Sequence, residues 1–253
     1  MKWIRHRVLN RELVIGTWLN LGSHLTAEIA GNAGFDWVLI DMEHGAGGHE
    51  SCVRQVQAVS ATPAAPLARV AWNDAPRFKR VLDLGISGVI VPYVTTAEEA
   101  RQAVAAMRYP PDGIRGVASL NRACNFGRDF KDYFAAANQE LLTVAQVETE
   151  ATVARADEIA AVDGVDVLFI GPMDLSVSMG IALQYDHPRF KAALAQVSDA
   201  CKRAGKAAGI LLGNADQVPD TITAGFTFIG LGSDGGVIAQ GMDKLAEAFR
   251  DYR

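Results

Sequence analysis

The stretch VDVLFIGPMDLS (165–176) runs an unbroken apolar segment into a turn and then presents a carboxylate. Val165, Val167, Leu168, Phe169 and Ile170 read as a strand buried on both faces, the pattern of a parallel sheet. Gly171-Pro172 bends the chain, and Asp174 follows where it leaves the core. Taken alone, Gly, Pro and Asp here read as a turn and a helix cap. What surrounds the stretch decides whether Asp174 does more.

Seven further segments share the same β-rich character: 13–20, 36–44, 66–72, 88–94, 141–148, 207–213 and 226–233. Ala-rich stretches with helical spacing lie between most of them, at 96–109, 151–162 and 187–205. The last of these has Pro188 near its start and Gly205 at its end, as helix termini prefer. Strand and helix in strict alternation imply right-handed crossovers and a parallel sheet. Eight such units in 253 residues predict an α/β fold of the (β/α)8 TIM-barrel type, as one domain over 1–253. A doubly wound sheet would carry a Gly-rich phosphate loop after its first strand, and TWLNLGSHLT (17–26) has no GxGxxG. One connection breaks the rhythm. The long insertion at 109–140, between the fourth and fifth strands, is expected to be functional and to help choose a co-substrate.

A net charge of −5 without any Lys/Arg run argues against nucleic acid or an anionic membrane as partner. The longest stretch free of Lys, Arg, Asp and Glu, 13–27, is too short and too polar to span a bilayer. Cys52, Cys124 and Cys201 are far apart and form no CxxC pair, so a disulfide framework or zinc knuckle is not supported. The expectation is a cytoplasmic protein acting on small molecules.

In a barrel of this kind, chemistry sits at the C-terminal ends of the strands. Those ends carry Asp41, Glu43 and His44 after the second strand, Arg69 on the third, and Gln146 and Glu148 on the fifth. Asp174 follows the sixth, and Gly232 to Gly236 with Asp234 follows the eighth. Gln146 and Glu148 are two apart and so share one face. Two carboxylates from adjacent strand ends, Glu148 and Asp174, suit a hard divalent cation completed by waters and substrate oxygens; a carboxylate held by a distant Arg is the structural alternative. Arg69, always charged and set in an apolar strand, must meet an anion. His44 reads as a candidate general base or as a packed histidine. None of the seven lysines falls in the second half of a strand, where a Schiff-base lysine would be needed. Asp83, within FKRVLDLG (78–85), reads from sequence as a solvated helix position.

Four motifs occur together and in order: GFDWVLIDMEHG (34–45), RYPPDGIRGV (108–117), QVET (146–149) and GVDVLFIGPMDLS (164–176). The set resembles the HpcH/HpaI family of metal-dependent pyruvate aldolases over residues 10–250. The resemblance implies a barrel whose C-terminal helix swaps between subunits of a homohexamer, a trimer of dimers. It implies a class II aldol reaction between a 2-oxo acid and an aldehyde, with Mg²⁺, Mn²⁺ or Co²⁺ held by Glu148 and Asp174. By the same resemblance His44 is the base, paired with Asp83, and Arg69 holds the keto or enolate oxygen. Gln146, the backbone at Gly171, Pro172 and Met173, and the side chains Trp18 and Leu212 are the expected substrate contacts. Met173 departs from the Ala or Ser of many relatives, and Met42 from a common Asp-Gly-Glu version, which leaves the aldehyde open. Oxaloacetate decarboxylation would use the same site, and a non-catalytic carboxylate-binding barrel is the reading from another class.

Overall fold

The computed structural model describes residues 2–252. Eight parallel strands close in sequence order: β1 (Val14–Leu19), β2 (Trp37–Asp41), β3 (Ala65–Arg69), β4 (Gly88–Val91), β5 (Leu142–Val147), β6 (Val167–Ile170), β7 (Ala207–Leu212) and β8 (Phe226–Ser233). Each lies within a few residues of its expected segment. The expected helix at 187–205 spans Pro188–Ala204, with Gly205 in the left-handed conformation at its end. The stretch 151–162 is two short helices, Glu150–Ala154 and Ala156–Ala160.

Because strand side chains alternate, the strands build two cores at once. Trp18, Trp37, Leu39, Leu67, Ile90, Val144, Phe169 and Phe228 fill the barrel interior. Val38, Ile40, Ala68, Val89, Ala145, Val147 and Ile170 pack outward under the helices. Gly16 makes the interior possible, since a Cβ there would lie 2.0 Å from the Trp37 ring. The ring instead stacks on Phe228 with centroids 4.6 Å apart.

The N-terminal mouth is closed by the short helix Arg5–Leu9. Ile4 and Val8 enter the interior cluster, and Arg5 grips the buried Asp166 with both contacts at 2.9 Å. The 109–140 insertion packs at this same end, and here the structure corrects the expectation. It connects the C-terminus of helix Ala97–Met107 to the start of β5, so it stands at the face opposite the strand ends of its own barrel. It is not featureless either, since it contains a 3-10 turn at Arg122–Gly127 and the helix Phe130–Glu140. Tyr133 of that helix stacks on Trp3 at 6.1 Å.

At the other end, Asp234 anchors the last helix, Asp234–Glu247, to the loop after β1. Its Oδ1 accepts from the Asn20 N–H at 2.8 Å and its Oδ2 from the Thr26 hydroxyl at 2.6 Å. Val237, Met242 and Leu245 of this helix are exposed. Among the described residues, no helix is long and apolar enough to cross a membrane.

Candidate active site

The strand register sets the site. Asp41 ends β2 opposite Arg69 at the end of β3, and both turn inward above the apolar interior. Their side chains are buried and joined as a fork: Arg69 Nε donates to Asp41 Oδ1 at 3.0 Å and Nη2 to Oδ2 at 2.7 Å. The same Oδ1 accepts the backbone N–H of Glu43 at 3.1 Å and of His44 at 3.3 Å, which fixes the turn carrying both. Burial pushes Asp41 up, yet the hydrogen bonds and charge of Arg69 outweigh it and hold the carboxyl below its usual range. Arg69 also meets Glu43, whose Oε2 lies 3.1 Å from Nη1.

Gln146 and Glu148 face inward from the end of β5, as their spacing requires. Gln146 is almost fully buried, and its Oε1 has no hydrogen-bond partner. Glu148 Oε2 accepts the Tyr93 N–H at 3.3 Å. Tyr93 reaches that donor position through a left-handed backbone, φ 57°, uncommon for a bulky residue and a form of strain often found at working sites. Burial pushes Glu148 above the ordinary carboxylate range; the Tyr93 N–H opposes this, and the charges of Glu43 and Asp174 add to it. Burial likewise raises Glu43, against the pull of Arg69 and His44.

Asp174 stands in the first turn of the helix Pro172–Ser178, which starts directly after β6. Gly171 between them is close-set: a Cβ there would lie 3.1 Å from Gln146 Nε2 and 3.4 Å from Glu148 Cγ. Glu43, His44, Tyr93, Gln146, Glu148 and Asp174 share one cavity of about 260 Å³, extended outward by Val94, Thr95, Thr149, Thr152 and Val177. No lysine or cysteine lines it among the described residues, so the cavity supplies neither a Schiff-base amine nor a thiol nucleophile.

The donor set fits a hard cation. Glu148 and Asp174 offer carboxylate oxygens, their mutual repulsion calls for positive charge, and Gln146 leaves a buried oxygen unused. Among the described residues no three His, Cys, Asp or Glu side chains converge as a closed cage, so the protein would supply two ligands and leave the rest to solvent and substrate.

A sequence profile described as HpcH/HpaI aldolase/citrate lyase matches residues 14–241, the whole of the barrel from β1 onward. The chain belongs to this family. It is 42% identical over 236 residues to a 4-hydroxy-2-oxo-heptane-1,7-dioate aldolase of Shigella sonnei (strain Ss046), covering 93% of this chain and 90% of that one. An HpcH/HpaI aldolase/citrate lyase family protein from Burkholderia cenocepacia J2315 superposes with a TM-score of 0.93 at 35% identity, over 98% of each chain. The HpcH/HpaI aldolase of Desulfitobacterium hafniense DCB-2 gives 0.91 at 27%, over 98% of this chain and 96% of that one. Membership makes the chain a carbon–carbon lyase, with a class II, metal-dependent reaction of the pyruvate-aldolase type.

Several expected family positions fall elsewhere in this chain. Within a single chain Asp83 is not brought to His44. It caps the far end of the helix Ala75–Leu82, about 12 Å of rise below the rim on which His44 sits, and it pairs with Arg115 at 2.8 Å. Arg115 itself is buried between Tyr109 and Tyr133, Arg122 bonds the Leu84 carbonyl, and Arg128 bonds that of Asn125. None of the three lines the cavity. Met173 is 61% exposed on the helix start and does not line it either, so it is no pocket floor in this chain. Trp18 lies beneath, in the interior core, tilted against Phe169 at 5.4 Å.

Leu212 requires a correction. It faces outward into the core under the helices, whereas Leu211 points into the barrel, where it and Trp18 both close on Gly230. Leu212→Ala should therefore cost about 2–5 kcal/mol of stability while leaving aldehyde preference in place. Leu211 packs beside Trp18 in the interior and does not line the cavity, so Leu211→Ala should leave that preference in place as well. Denaturation midpoints and an aldehyde panel scored by kcat/KM check both variants, and a shift in preference by Leu212→Ala would restore its place among the substrate contacts.

Asp41, Glu43 and Tyr93 are the site residues that reading the sequence undervalues. Asp41 and Glu43 had a signal, since two acids at alternate positions end the strand beside the one bearing Arg69. Tyr93 had none, because its contribution is a backbone N–H.

Proposed function

We propose that the chain catalyses reversible aldol cleavage of 4-hydroxy-2-oxo acids to pyruvate, or a close analogue, and an aldehyde. The observation carrying this is the convergence of His44, Gln146, Glu148 and Asp174 on one lysine-free cavity at the C-terminal mouth, with Arg69 paired to Glu43 of its lining. Glu148 and Asp174 would hold Mg²⁺, Mn²⁺ or Co²⁺. The cation when bound would supply Lewis acidity toward the 2-keto group.

The chain's own residues do the rest. Asp41 takes two of the five Arg69 N–H groups and Glu43 lies against Nη1, and the remaining donors are offered to the keto or enolate oxygen as negative charge develops there. Gln146 offers its amide beside the acids, and in the helix start Gly171-Pro172-Met173 the Met173 backbone N–H, outside the helical ladder, is offered to the substrate carboxylate. His44 removes a proton from the pyruvate methyl group in the condensation direction and returns it on cleavage. The exposed apolar side chains of the last helix support its exchange between subunits in a homohexamer.

The test is loss of the pyruvate methyl proton signal in D₂O. Exchange should require Mg²⁺ or Mn²⁺, stop on chelation and fall by at least about 100-fold in Glu148→Gln. It should also weaken with falling pH from above the ordinary carboxylate range, because protons compete with the cation for Glu148, whose affinity for protons is raised. Exchange indifferent to both chelation and the substitution would overturn the reading. Pyruvate release from oxaloacetate, assayed alongside aldol cleavage, separates a decarboxylase by its relative kcat/KM.

A further inference from the structure

We propose that Trp72, which lies outside the cavity, is a positioning residue for the cation: its ring holds Tyr93 in the left-handed turn that aims the Tyr93 N–H at Glu148. This rests on Glu148 being a metal ligand. Every contact involved lies within one chain, between the ends of the neighbouring strands β3, β4 and β5.

The chain after β4 is pinned on both sides of Tyr93. Pro92 and Val94 are buried, and beyond them Glu99 Oε2 accepts the backbone N–H groups of Thr95 at 2.7 Å and Thr96 at 3.0 Å. Between these anchors Tyr93 turns outward with φ 57°, a conformation that glycine adopts freely and an aromatic residue resists. What the turn yields is one donor, since the N–H meets Glu148 Oε2 at 3.3 Å. One carboxylate oxygen is thereby steadied, and the other is left for the cation.

The strained turn needs a restraint, and Trp72 supplies it. Its ring centroid lies 4.4 Å from that of Tyr93, with the planes at 32°. The loop after β3 that carries Trp72 is tied to the same helix start, because Asn73 Nδ2 donates to the Glu99 carbonyl at 3.1 Å. Rim packing alone explains the pair poorly. Trp72 remains 53% exposed and Tyr93 45%, so the stack buries little apolar surface, and a glycine at 93 would form the turn without strain. Bulky residues in left-handed turns persist where their surroundings over-determine them, and they gather at working sites. Partners one step removed from a metal commonly change its affinity about 10- to 100-fold by fixing how a ligand is presented.

The experiment is a Mn²⁺ titration followed by the electron paramagnetic resonance signal of the free ion, with thermal midpoints measured beside it. Trp72→Leu should weaken Mn²⁺ binding about 10-fold, and Trp72→Phe, which keeps a ring over Tyr93, should stay within about 3-fold of the wild type. Tyr93→Gly should weaken binding to a similar extent without lowering the thermal midpoint, because relief of strain offsets the lost stack. Trp72→Leu should then cost nothing more in the Tyr93→Gly background. Wild-type affinity in Trp72→Leu overturns the proposal, as do binding in Trp72→Phe as weak as in Trp72→Leu and losses that add fully in the double variant. If Trp72→Leu does not fold, Tyr93→Gly decides alone, and wild-type affinity there overturns the proposal. If Glu148→Gln binds Mn²⁺ as tightly as the wild type, or the wild type binds no divalent cation, Glu148 is not a ligand and the functional reading itself fails.

Discussion

Arg69→Ala is expected to lower kcat for methyl exchange about 10²- to 10³-fold and to destabilise the barrel by about 3–5 kcal/mol. The two losses share one cause. Arg69 is the only arginine or lysine paired with Asp41 and Glu43 among the described residues, and all three side chains are buried. Its removal leaves two carboxylates facing each other in a poorly polarisable interior, close to Glu148 and Asp174. It also removes the donors available to a developing oxyanion. Arg69→Lys separates these effects. A lysine restores a positive charge but not the planar two-point fork, so stability should recover further than kcat. Urea midpoints and exchange kinetics on both variants check this, and equal recovery of both quantities by lysine would show that the fork has no part in the reaction.

The second large effect lies at the opposite end of the barrel. Arg115 is fully buried, with its guanidinium 4.5 Å from the Tyr109 ring centroid and 5.5 Å from that of Tyr133. It donates to Tyr133 Oη at 3.1 Å and to Asp83 at 2.8 Å, and so ties the insertion to the end of the helix Ala75–Leu82. Asp83→Asn should therefore destabilise the protein by about 3–5 kcal/mol, because it leaves a buried guanidinium without its carboxylate. Arg115→Met should cost less. It keeps apolar contact with both rings, and Asp83, itself partly exposed, can turn to water. Thermal denaturation of the pair tests the order. If Arg115→Met proves the more damaging, packing of the guanidinium between the rings outweighs its ion pair.

Much of the architecture could be read from local pattern. Runs such as 165–170 and 207–212 can be buried on both faces only in a parallel sheet covered by helices, and their alternation with Ala-rich helices leaves little besides the barrel. The two-residue spacing of Gln146 and Glu148 puts them on one face without reference to any tertiary contact. The end of the barrel at which the 109–140 insertion lies is legible too. A segment that follows a helix and precedes a strand must lie at the N-terminal end of the barrel, whatever its length.

Leu211 and Leu212 show where pattern stops. In AAGILLG (207–213) both faces are apolar, so nothing marks which leucine looks inward. Barrel closure decides it, through the pairing of β7 with β8 and a register shift between Ala208 and Gly209. Asp83 shows the same limit over a longer range, since a helix end selects its charge partner by where the chain returns, and Arg115 arrives 32 residues later. The repeating unit, the strand ends and the residue types at the mouth are local properties of the chain, since they follow from neighbours a few positions apart. That Asp41 clasps Arg69, that Tyr93 lends its N–H to Glu148 and that Glu43 stands by His44 are properties of the closed barrel. Those pairings depend on strand register and loop course, which arise from closing all eight strands together.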